Sequence, residues 1–390
     1  MSHVLVARCV RGLEWILADE IASTTGPGLP AGGMRLAPRQ VSFTVPRLTR
    51  QLLTLRTADD LFLQVGTVTG VDQTRAALPV LAARLGQLSL GGPLTALRDL
   101  RDVPDKLTFD VVASLSGRRT YNRYAVEDTA GGVLGPMLGG RYVSRSAGTG
   151  DWPAGGTDLT ARLFLHGTEV RVTLRAGSRP LHRRAWKVRT GPGSLHPPVA
   201  AALARIAGHP DGGVIADPFC GDGTIPVEAA LADPAARVIA ADLDGSRLGN
   251  ARANAAAAGV RVRFLQADAG VPLLRDGQLG QVVTNPPWNR SVGAAGRAAD
   301  GLGPFWRQLP AGFGRHGRVT VIADAELGTA GRLRGDGYDV TLAQGIRLAG
   351  RLSEILVATP PGTAPIPADP ALAGWRQQAI RDGVLSGDGF

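Results

Sequence analysis

The sequence has few of the residues and segments that mark secreted, membrane-spanning or metal-binding proteins. Its only cysteines are Cys9 and Cys220, which argues against a disulfide framework and suits a reducing cytoplasm. It has neither an N-terminal apolar segment that could direct export nor a run of about 18 apolar residues that could span a membrane. No cluster of cysteine and histidine has zinc spacing. We therefore expect a cytoplasmic protein that binds neither metal nor membrane, and no segment points to an obligate protein partner.

Lysine and aromatic residues are also scarce. Lys106 and Lys187 are the only lysines among 43 basic residues, and aromatic residues make up 5% of the chain. Because 44% of the residues are hydrophobic, the chain can still bury aliphatic cores, and its 390 residues suit two or three domains.

The excess of positive charge is confined to the first half of the chain. Residues 1–190 contain 25 basic and 15 acidic residues, a net charge of +10, whereas residues 191–390 contain 18 of each. A genomic bias toward arginine would act on both halves alike. The asymmetry therefore predicts a polyanion-binding region, rich in the planar guanidinium groups that contact phosphates, joined to a catalytic domain.

The tetrapeptide Asn-Pro-Pro-Trp at residues 285–288 follows an apolar run typical of a strand. Consecutive prolines make a stiff turn whose carbonyl groups are free to accept hydrogen bonds. The exocyclic amino group of a nucleobase has two N–H donors, which the Asn285 side chain and the Pro286 carbonyl could accept. Trp288 could stack on the base. Asn-Pro and Pro-Pro are also ordinary turn sequences, so the assignment of an amine-methylating site depends on its context.

That context lies upstream, where an apolar run ends at Asp217, passes through Gly221 and Gly223, and enters an alanine-rich stretch after Thr224. This order is typical of a strand, a tight loop and a helix. Asp242 ends the next predicted strand, 21 residues after Gly221, close to the spacing of about 20 at which an acid meets ribose hydroxyls. A dinucleotide site shares that spacing, but the third glycine that it needs is replaced by Pro226.

The sequence Asp-Pro-Phe-Cys-Gly-x-Gly-Thr followed by Asn-Pro-Pro-Trp resembles the class I S-adenosylmethionine-dependent RNA methyltransferases that carry an N-terminal THUMP domain. Those enzymes methylate the exocyclic N2 of guanine in tRNA or large-subunit rRNA. The resemblance is specific over residues 181–360 and looser over residues 1–180. Asp222 stands where serine is common in the family, and Trp288 where tyrosine or phenylalanine is usual.

The resemblance implies a role for each motif residue. Asp217 is expected under the amino-acid end of the cofactor, Asp242 at the ribose, and Asp268 at the adenine amino group, although Asp268 could also simply end a strand. The implied cofactor contacts are Asp217, Phe219, Gly221, Gly223, Thr224, Asp242 and Asp268, and the implied catalytic turn is Asn285, Pro286, Pro287 and Trp288. Asp244 is predicted to cap a helix, and His196 to be structural.

The same resemblance divides the chain into an α/β Rossmann-like methyltransferase domain and a preceding α+β region. Residues 1–65 are expected to form a ferredoxin-like domain, with a helix over 47–55, and residues 66–180 a THUMP-like RNA-binding domain. Residues 181–360 are the predicted methyltransferase domain, closed by an antiparallel pair over 340–348 and 354–359. Residues 361–390 are expected to be a tail.

Two basic segments are the predicted RNA contacts. Residues 118–124 mix arginine with tyrosine, a composition that can contact phosphates and unpaired bases but is equally compatible with a solvated loop. Residues 179–189 resemble the family's connection between THUMP and catalytic domains. The predicted contacts are Arg118, Arg119, Arg123, Arg183, Arg184 and Lys187.

The turn at 285–288 predicts direct methyl transfer to an exocyclic base nitrogen. The resemblance implies S-adenosyl-L-methionine as the methyl donor and guanine N2 of RNA as the acceptor, with tRNA as the favoured substrate. Guanine N2 of 23S rRNA, an amino group of DNA, a protein glutamine and a non-catalytic RNA-binding role stay open as alternatives. The basic N-terminal half favours RNA.

Overall fold

The structure of the protein, a computed structural model, describes residues 2–26, 33–146, 152–208, 213–288 and 295–386. Within them the chain forms two β-sheets, one in each half. The last four residues of the predicted tail, 387–390, lie outside the described residues. No helix in the described part of the chain has the length and hydropathy needed to cross a membrane.

The first half builds an eight-stranded sheet in the order β2-β3-β1-β4-β8-β7-β5-β6. Its elements are β1 (His3–Arg8), α1 (Glu14–Thr25), β2 (Met34–Ala37), β3 (Gln40–Val45), β4 (Asp60–Val68), α2 (Ala77–Leu85), α3 (Gly91–Leu100), β5 (Thr108–Leu115), α4 (Arg123–Leu138), β6 (Arg141–Tyr142), β7 (Leu159–His166) and β8 (Glu169–Arg175). The four helices share one hydrophobic core with alternate side chains of the strands, as the two-residue period of a strand requires. Among the described residues, Val6 and Phe62 alternate with these side chains and do not belong to this core.

Strand β4 joins the two predicted N-terminal regions. It pairs with β1 on one side and with β8 on the other, so the sheet is continuous across both regions. The predicted boundary at residue 65 therefore lies inside a strand. Within the helix predicted over 47–55, the chain forms only the shorter 3₁₀ helix Arg50–Thr54, with Leu52 as its single buried residue. One buried side chain supplies little of the packing that stabilises short helices.

The second half builds a sheet in the order β11-β10-β9-β12-β13-β15-β14, with β16 paired to β13. Its elements are α5 (Pro197–Ala207), β9 (Val214–Asp217), α6 (Thr224–Ala232), β10 (Arg237–Asp242), α7 (Gly245–Ala258), β11 (Arg263–Gln266), β12 (Leu279–Thr284), α8 (Gly303–Gln308), β13 (Phe313–Asp324), α9 (Thr329–Gly335), β14 (Asp339–Leu348), β15 (Arg351–Thr359), β16 (Ala364–Pro365) and α10 (Pro370–Arg381).

Strands β9 to β13 run parallel, which brings their carboxyl ends to one edge of the sheet. The predicted antiparallel closing pair is confirmed, because β15 runs antiparallel to both β13 and β14. The predicted cap is also confirmed: the Asp244 side chain accepts a hydrogen bond from the Ser246 backbone N–H at 2.8 Å and begins α7.

The two halves of the chain contact each other through an ion pair and through a helix that was not predicted. Arg205 donates to Asp19 at 2.6 Å and joins α5 to α1. Helix α10, in the segment predicted as a tail, packs against α1 and buries Leu372 and Ala379. The C-terminal segment therefore returns to the first half.

Candidate active site

The loop between β9 and α6 is shaped by two glycines. Gly221 and Gly223 have φ angles of 52° and 79°, in the region where side chains cause strain. A Cβ on Gly223 would lie 2.9 Å from the Ala251 Cβ, so glycine is what allows the loop to pack against α7. The Asp242 Oδ2 accepts a hydrogen bond from the Gly221 N–H at 2.8 Å, which fixes the loop to the end of β10.

Asp217 is a buried acid with one unused oxygen. Its Oδ1 accepts hydrogen bonds from the Thr284 hydroxyl at 2.7 Å and the Phe219 N–H at 3.2 Å. Its Oδ2 is buried and has no hydrogen-bond partner among the described residues. Burial raises the pKa of Asp217 to about 7. A buried polar atom without a partner is costly, so this oxygen is suited to a ligand donor.

Two further carboxylates lie at neighbouring strand ends. The Asp242 Oδ1 accepts from the Asp244 N–H at 2.9 Å, and Asp268 accepts from the backbone N–H groups of Gly270 and Arg297, each at 2.8 Å. These bonds hold the carboxylates in place. Since each carboxylate oxygen can accept more than one hydrogen bond, both acids can still accept from ligand hydroxyl or amino groups.

The turn at 285–288 directly follows β12. The Asn285 Oδ1 is buried, and no described residue donates a hydrogen bond to it. The Trp288 indole Nε1 is likewise buried and unpartnered in that part of the chain. An amide oxygen held in this way is an acceptor ready for a donor that enters the site.

Most of these groups line one cavity with a volume of about 1080 Å³. This volume is at the upper limit of the roughly 300–1,000 Å³ typical of small-molecule sites. Of the residues predicted for the site, the lining includes Asp217, Phe219, Gly221, Thr224, Asp242, Asp268, Asn285, Pro286, Pro287 and Trp288. Gly223 is absent from the lining and acts through the packing of the loop.

Asp222, the departure from the family pattern, fixes the segment that covers the cavity. Its buried carboxylate accepts from the Gly191 N–H at 2.7 Å, pairs with the Arg247 guanidinium at 3.2 Å, and accepts from the Asn250 amide at 3.1 Å. Arg247 also donates to the Pro192 carbonyl at 2.7 Å. A serine could not make all three of the contacts to the carboxylate, so the acid has a clear structural role here.

Two predicted residues of the connecting segment face the protein instead of solvent. The Lys187 ammonium donates to the Leu195 carbonyl at 2.7 Å and lines the cavity, and burial lowers its pKa to about 8. Arg184 donates to the buried Glu228 carboxylate at 3.0 Å and to the carbonyls of Leu181 and Arg56. Arg184 is thus held by protein groups and Lys187 lies at the cavity, and contact of either side chain with RNA stays a prediction.

Of the remaining predicted RNA contacts, one is held by protein groups and three are exposed to solvent. Arg119 donates to the carbonyls of Asp72 and Gly167, at 3.0 and 2.7 Å, and to the Tyr121 hydroxyl at 2.6 Å, so it holds its loop together. The exposed members of the predicted set are Arg118, Arg123 and Arg183.

His196 connects the cavity wall to the first half of the chain. Its Nε2 lies 2.7 Å from the Asp59 Oδ1, and the ring of His182 lies 5.4 Å away. The His182 Nδ1 lies 3.1 Å from the Asp59 carbonyl oxygen. This arrangement supports the structural role predicted for His196.

Sequence reasoning missed several cavity residues. Leu243, which is 43% exposed, follows Asp242 and offers an apolar surface beside the acids. The turn between β14 and β15 also lines the cavity, through Leu348, Ala349 and Arg351. The position of Leu243 after a strand-end acid was a usable signal, whereas the turn carries no motif.

A parallel sheet with β9 at its centre, a glycine loop after β9, acids at successive strand ends and an antiparallel β15 defines the Rossmann-like methyltransferase fold. Residues 184–327 match the protein family described as "RMKL-like, methyltransferase domain". The crystal structure of TrmN from Thermus thermophilus superposes with a TM-score of 0.70 at 25% identity, covering 92% of this chain and 99% of that one. The fold is therefore shared across both halves.

Two curated proteins are similar over shorter segments. The tRNA (guanine(6)-N2)-methyltransferase of Thermus thermophilus is 40% identical over 137 residues, which cover 35% of this chain and 41% of that protein. The ribosomal RNA large subunit methyltransferase K/L of Magnetococcus marinus is 41% identical over 78 residues, 19% of this chain and 11% of that protein. The matched segment thus spans less than half the length of either relative.

Proposed function

We propose that the protein transfers the methyl group of S-adenosyl-L-methionine to the exocyclic N2 of a guanine in tRNA. The observation that carries the proposal is the buried, unpartnered Asn285 Oδ1 in the same cavity as the unpartnered Asp217 Oδ2. The tRNA (guanine(6)-N2)-methyltransferase relative supports the choice of substrate. The net charge of +10 over residues 1–190, which include the proposed THUMP-like region, supports a polyanionic substrate.

The carboxylates in the cavity are acceptors that match the N–H and O–H donors of the proposed cofactor. When bound, this cofactor supplies an electrophilic methyl group on a sulfonium. Asp217 would accept from the ammonium of its amino-acid end, Asp242 from the ribose hydroxyls, and Asp268 from the adenine amino group. Leu243 would cover the adenine ring, and the loop at Gly221 would leave room for the ligand beside the backbone.

In this proposal, the residues of the protein act by positioning the guanine against the methyl group. The Asn285 Oδ1 and the Pro286 carbonyl would each accept one N–H of the guanine amine, which aims the nitrogen lone pair at the methyl group. Trp288 would hold the base flat by stacking. A paired guanine must first leave its stack, at a cost of a few kcal/mol. The proton that the amine loses after transfer passes to solvent.

A second candidate substrate is large-subunit rRNA, because the K/L relative matches at 41% identity. Purified protein incubated with labelled S-adenosyl-L-methionine and tRNA, rRNA or duplex DNA, followed by nucleoside mass spectrometry, separates the candidates. We expect N2-methylguanosine in tRNA. Label in rRNA alone would move the assignment to the second candidate, and label in N6-methyladenine of DNA would contradict both.

A further inference from the structure

The outer face of the first sheet, opposite its helices, carries a cluster of arginine and phenylalanine. The Arg162 guanidinium lies 5.6 Å from the ring centroid of Phe62 and 5.1 Å from that of Phe164. Arg8 lies 5.1 Å from Phe164, and Arg175 lies 5.8 Å from Phe62. Four strands, β1, β4, β8 and β7, thus direct their outer side chains to one place.

The cluster has more positive than negative charge. Arg175 pairs with Asp60 at 2.8 Å, but neither Arg8 nor Arg162 pairs with a carboxylate in the described part of the chain. They donate instead to neutral groups, Arg8 to Gln40 and Arg162 to Ser114, each at 3.1 Å.

Arg162 and Arg8 also repel each other. The Arg162 Nε is buried and has no hydrogen-bond partner among the described residues. Burial, together with the neighbouring charges of Arg162 and Arg39, lowers the pKa of Arg8 to about 10. An anion bound here would relieve this repulsion.

Two backbone connections lead from this cluster to the cavity. The Arg8 carbonyl accepts from the Asp59 N–H at 2.6 Å, and Asp59 holds His196 in the cavity wall. Three residues after Arg8, the Arg11 carbonyl accepts from the Arg347 N–H at 3.1 Å, which docks the end of β1 on the hairpin of β14 and β15.

The hairpin turn continues the line of positive charge. Arg11, Arg347 and Arg351 are all exposed, and Arg351 lines the cavity. Arg351 lies 3.7 Å from the Asp324 carboxylate. Guanidinium groups therefore recur from the sheet face, past the end of β1, to the cavity mouth.

We propose that five arginines form a path that binds the phosphates of an unpaired RNA strand and leads the strand to the cavity containing Asn285. This set, here called the arginine path, consists of Arg8, Arg11, Arg162, Arg347 and Arg351. Charge complementarity selects the occupant, since these arginines have few acidic partners and RNA carries one negative charge per nucleotide. The proposal rests on the proposed RNA methyltransferase function. It assigns the phosphate contacts to other residues than the predicted contacts at 118–123.

The test is binding of a fluorescein-labelled 20-nucleotide single-stranded RNA, measured by anisotropy without cofactor at several salt concentrations. One variant is Arg8→Gln/Arg162→Gln. A second is Arg11→Gln/Arg347→Gln, whose side chains are exposed, so these substitutions leave the core unchanged. The control is Arg261→Gln/Arg315→Gln, which removes the same charge from exposed positions near the amino ends of β11 and β13, at the edge opposite the cavity.

Each test variant loses two phosphate contacts, and each lost contact lowers the magnitude of the slope of log K against log salt by about 0.7. Each variant should therefore bind RNA about 25-fold more weakly at 0.1 M salt. The control should bind like the wild type, and thermal unfolding should show that all variants are folded. Wild-type affinity in both test variants, or equal losses in the control, would overturn the path. If poly-L-glutamate displaces the RNA at equal charge, the arginine path would instead be a binding site for acidic protein surfaces. If the wild type methylates no RNA, the proposed function is wrong. The binding measurements still test the arginine path in that case.

Discussion

Thr284 donates its hydroxyl hydrogen to the Asp217 Oδ1 across 2.7 Å, although 67 residues separate the two in sequence. Thr284 is the last residue of β12, and Asn285 follows it directly. One buried hydrogen bond therefore connects the acid proposed for the cofactor with the turn proposed for the amine. Because both groups sit at adjacent strand ends, a shift of one changes the position of the other.

Replacing Thr284 tests this connection. Thr284→Val removes the hydroxyl donor and leaves a second Asp217 oxygen with less hydrogen bonding, so the free energy of unfolding should fall by about 1–3 kcal/mol. The dissociation constant for S-adenosyl-L-methionine, measured by calorimetry, should rise at the same time. Thr284→Ser keeps the hydroxyl and is the control. If the valine variant binds the cofactor as tightly as the serine variant, the hydrogen bond does not connect the two sites.

The raised pKa of Asp217 predicts a specific dependence of stability on pH. In the unfolded chain the carboxyl ionises near its ordinary value of 3.8, whereas in the folded protein it keeps its proton until about 7. Between these values the folded state binds more protons, so stability falls as pH rises from about 4 to about 7. Asp217→Asn removes this dependence.

Urea unfolding of both proteins in the absence of cofactor measures the effect. The stability of the wild type relative to Asp217→Asn should decline by an amount of the order of 4 kcal/mol over that pH range. A difference that is constant with pH would show that Asp217 is ionised in the folded protein.

Arg247 is predicted to support cofactor binding without touching the amine site. Arg247→Ala leaves the buried Asp222 carboxylate without its ion pair and frees the turn at Pro192, so cofactor affinity should fall about 10- to 100-fold, corresponding to about 1.5–3 kcal/mol for a charged hydrogen bond. Arg247→Lys should recover part of the loss, because it restores the charge without the planar fork. Calorimetry checks both, and unchanged affinity in the alanine variant would contradict the role given to the covering turn.

Glu228 should be required for the attachment of the two halves. Its fully buried carboxylate pairs with Arg56 and with Arg184, so Glu228→Gln leaves two guanidinium groups without their counter-charge. Breaking a buried pair costs about 3–5 kcal/mol, which chemical denaturation should detect. As a control, Asp105→Asn removes the exposed partner of Arg98 and should cost less than about 1 kcal/mol. Equal effects of the two substitutions would rule out a special role for Glu228.

The cavity groups could be predicted from sequence because each one marks the end of a parallel strand. Asp217, Asp242 and Asn285 follow apolar runs, and the topology of a parallel sheet places such ends at one edge. The order of the motifs therefore carried three-dimensional information. The sequence shows that Asp222 departs from the family pattern, but it does not indicate that Arg247 pairs with this acid.

The parts that could not be predicted depend on contacts between distant residues. Asp59 and His196 are 137 residues apart, and nothing near either residue indicates the other. The continuous sheet arises from the pairing of β4 with β8, which bridges two segments that each look complete in sequence. Arg184 is part of a basic run typical of an exposed surface, and only the fold shows that Glu228 holds it inside.

The role proposed for Asn285 in orienting the amine can be measured as the rate of methyl transfer to tRNA by Asn285→Ala at saturating cofactor. We expect this rate to fall by orders of magnitude while calorimetry shows unchanged affinity for S-adenosyl-L-methionine, because the missing oxygen contacts only the substrate. A rate equal to that of the wild type would contradict it.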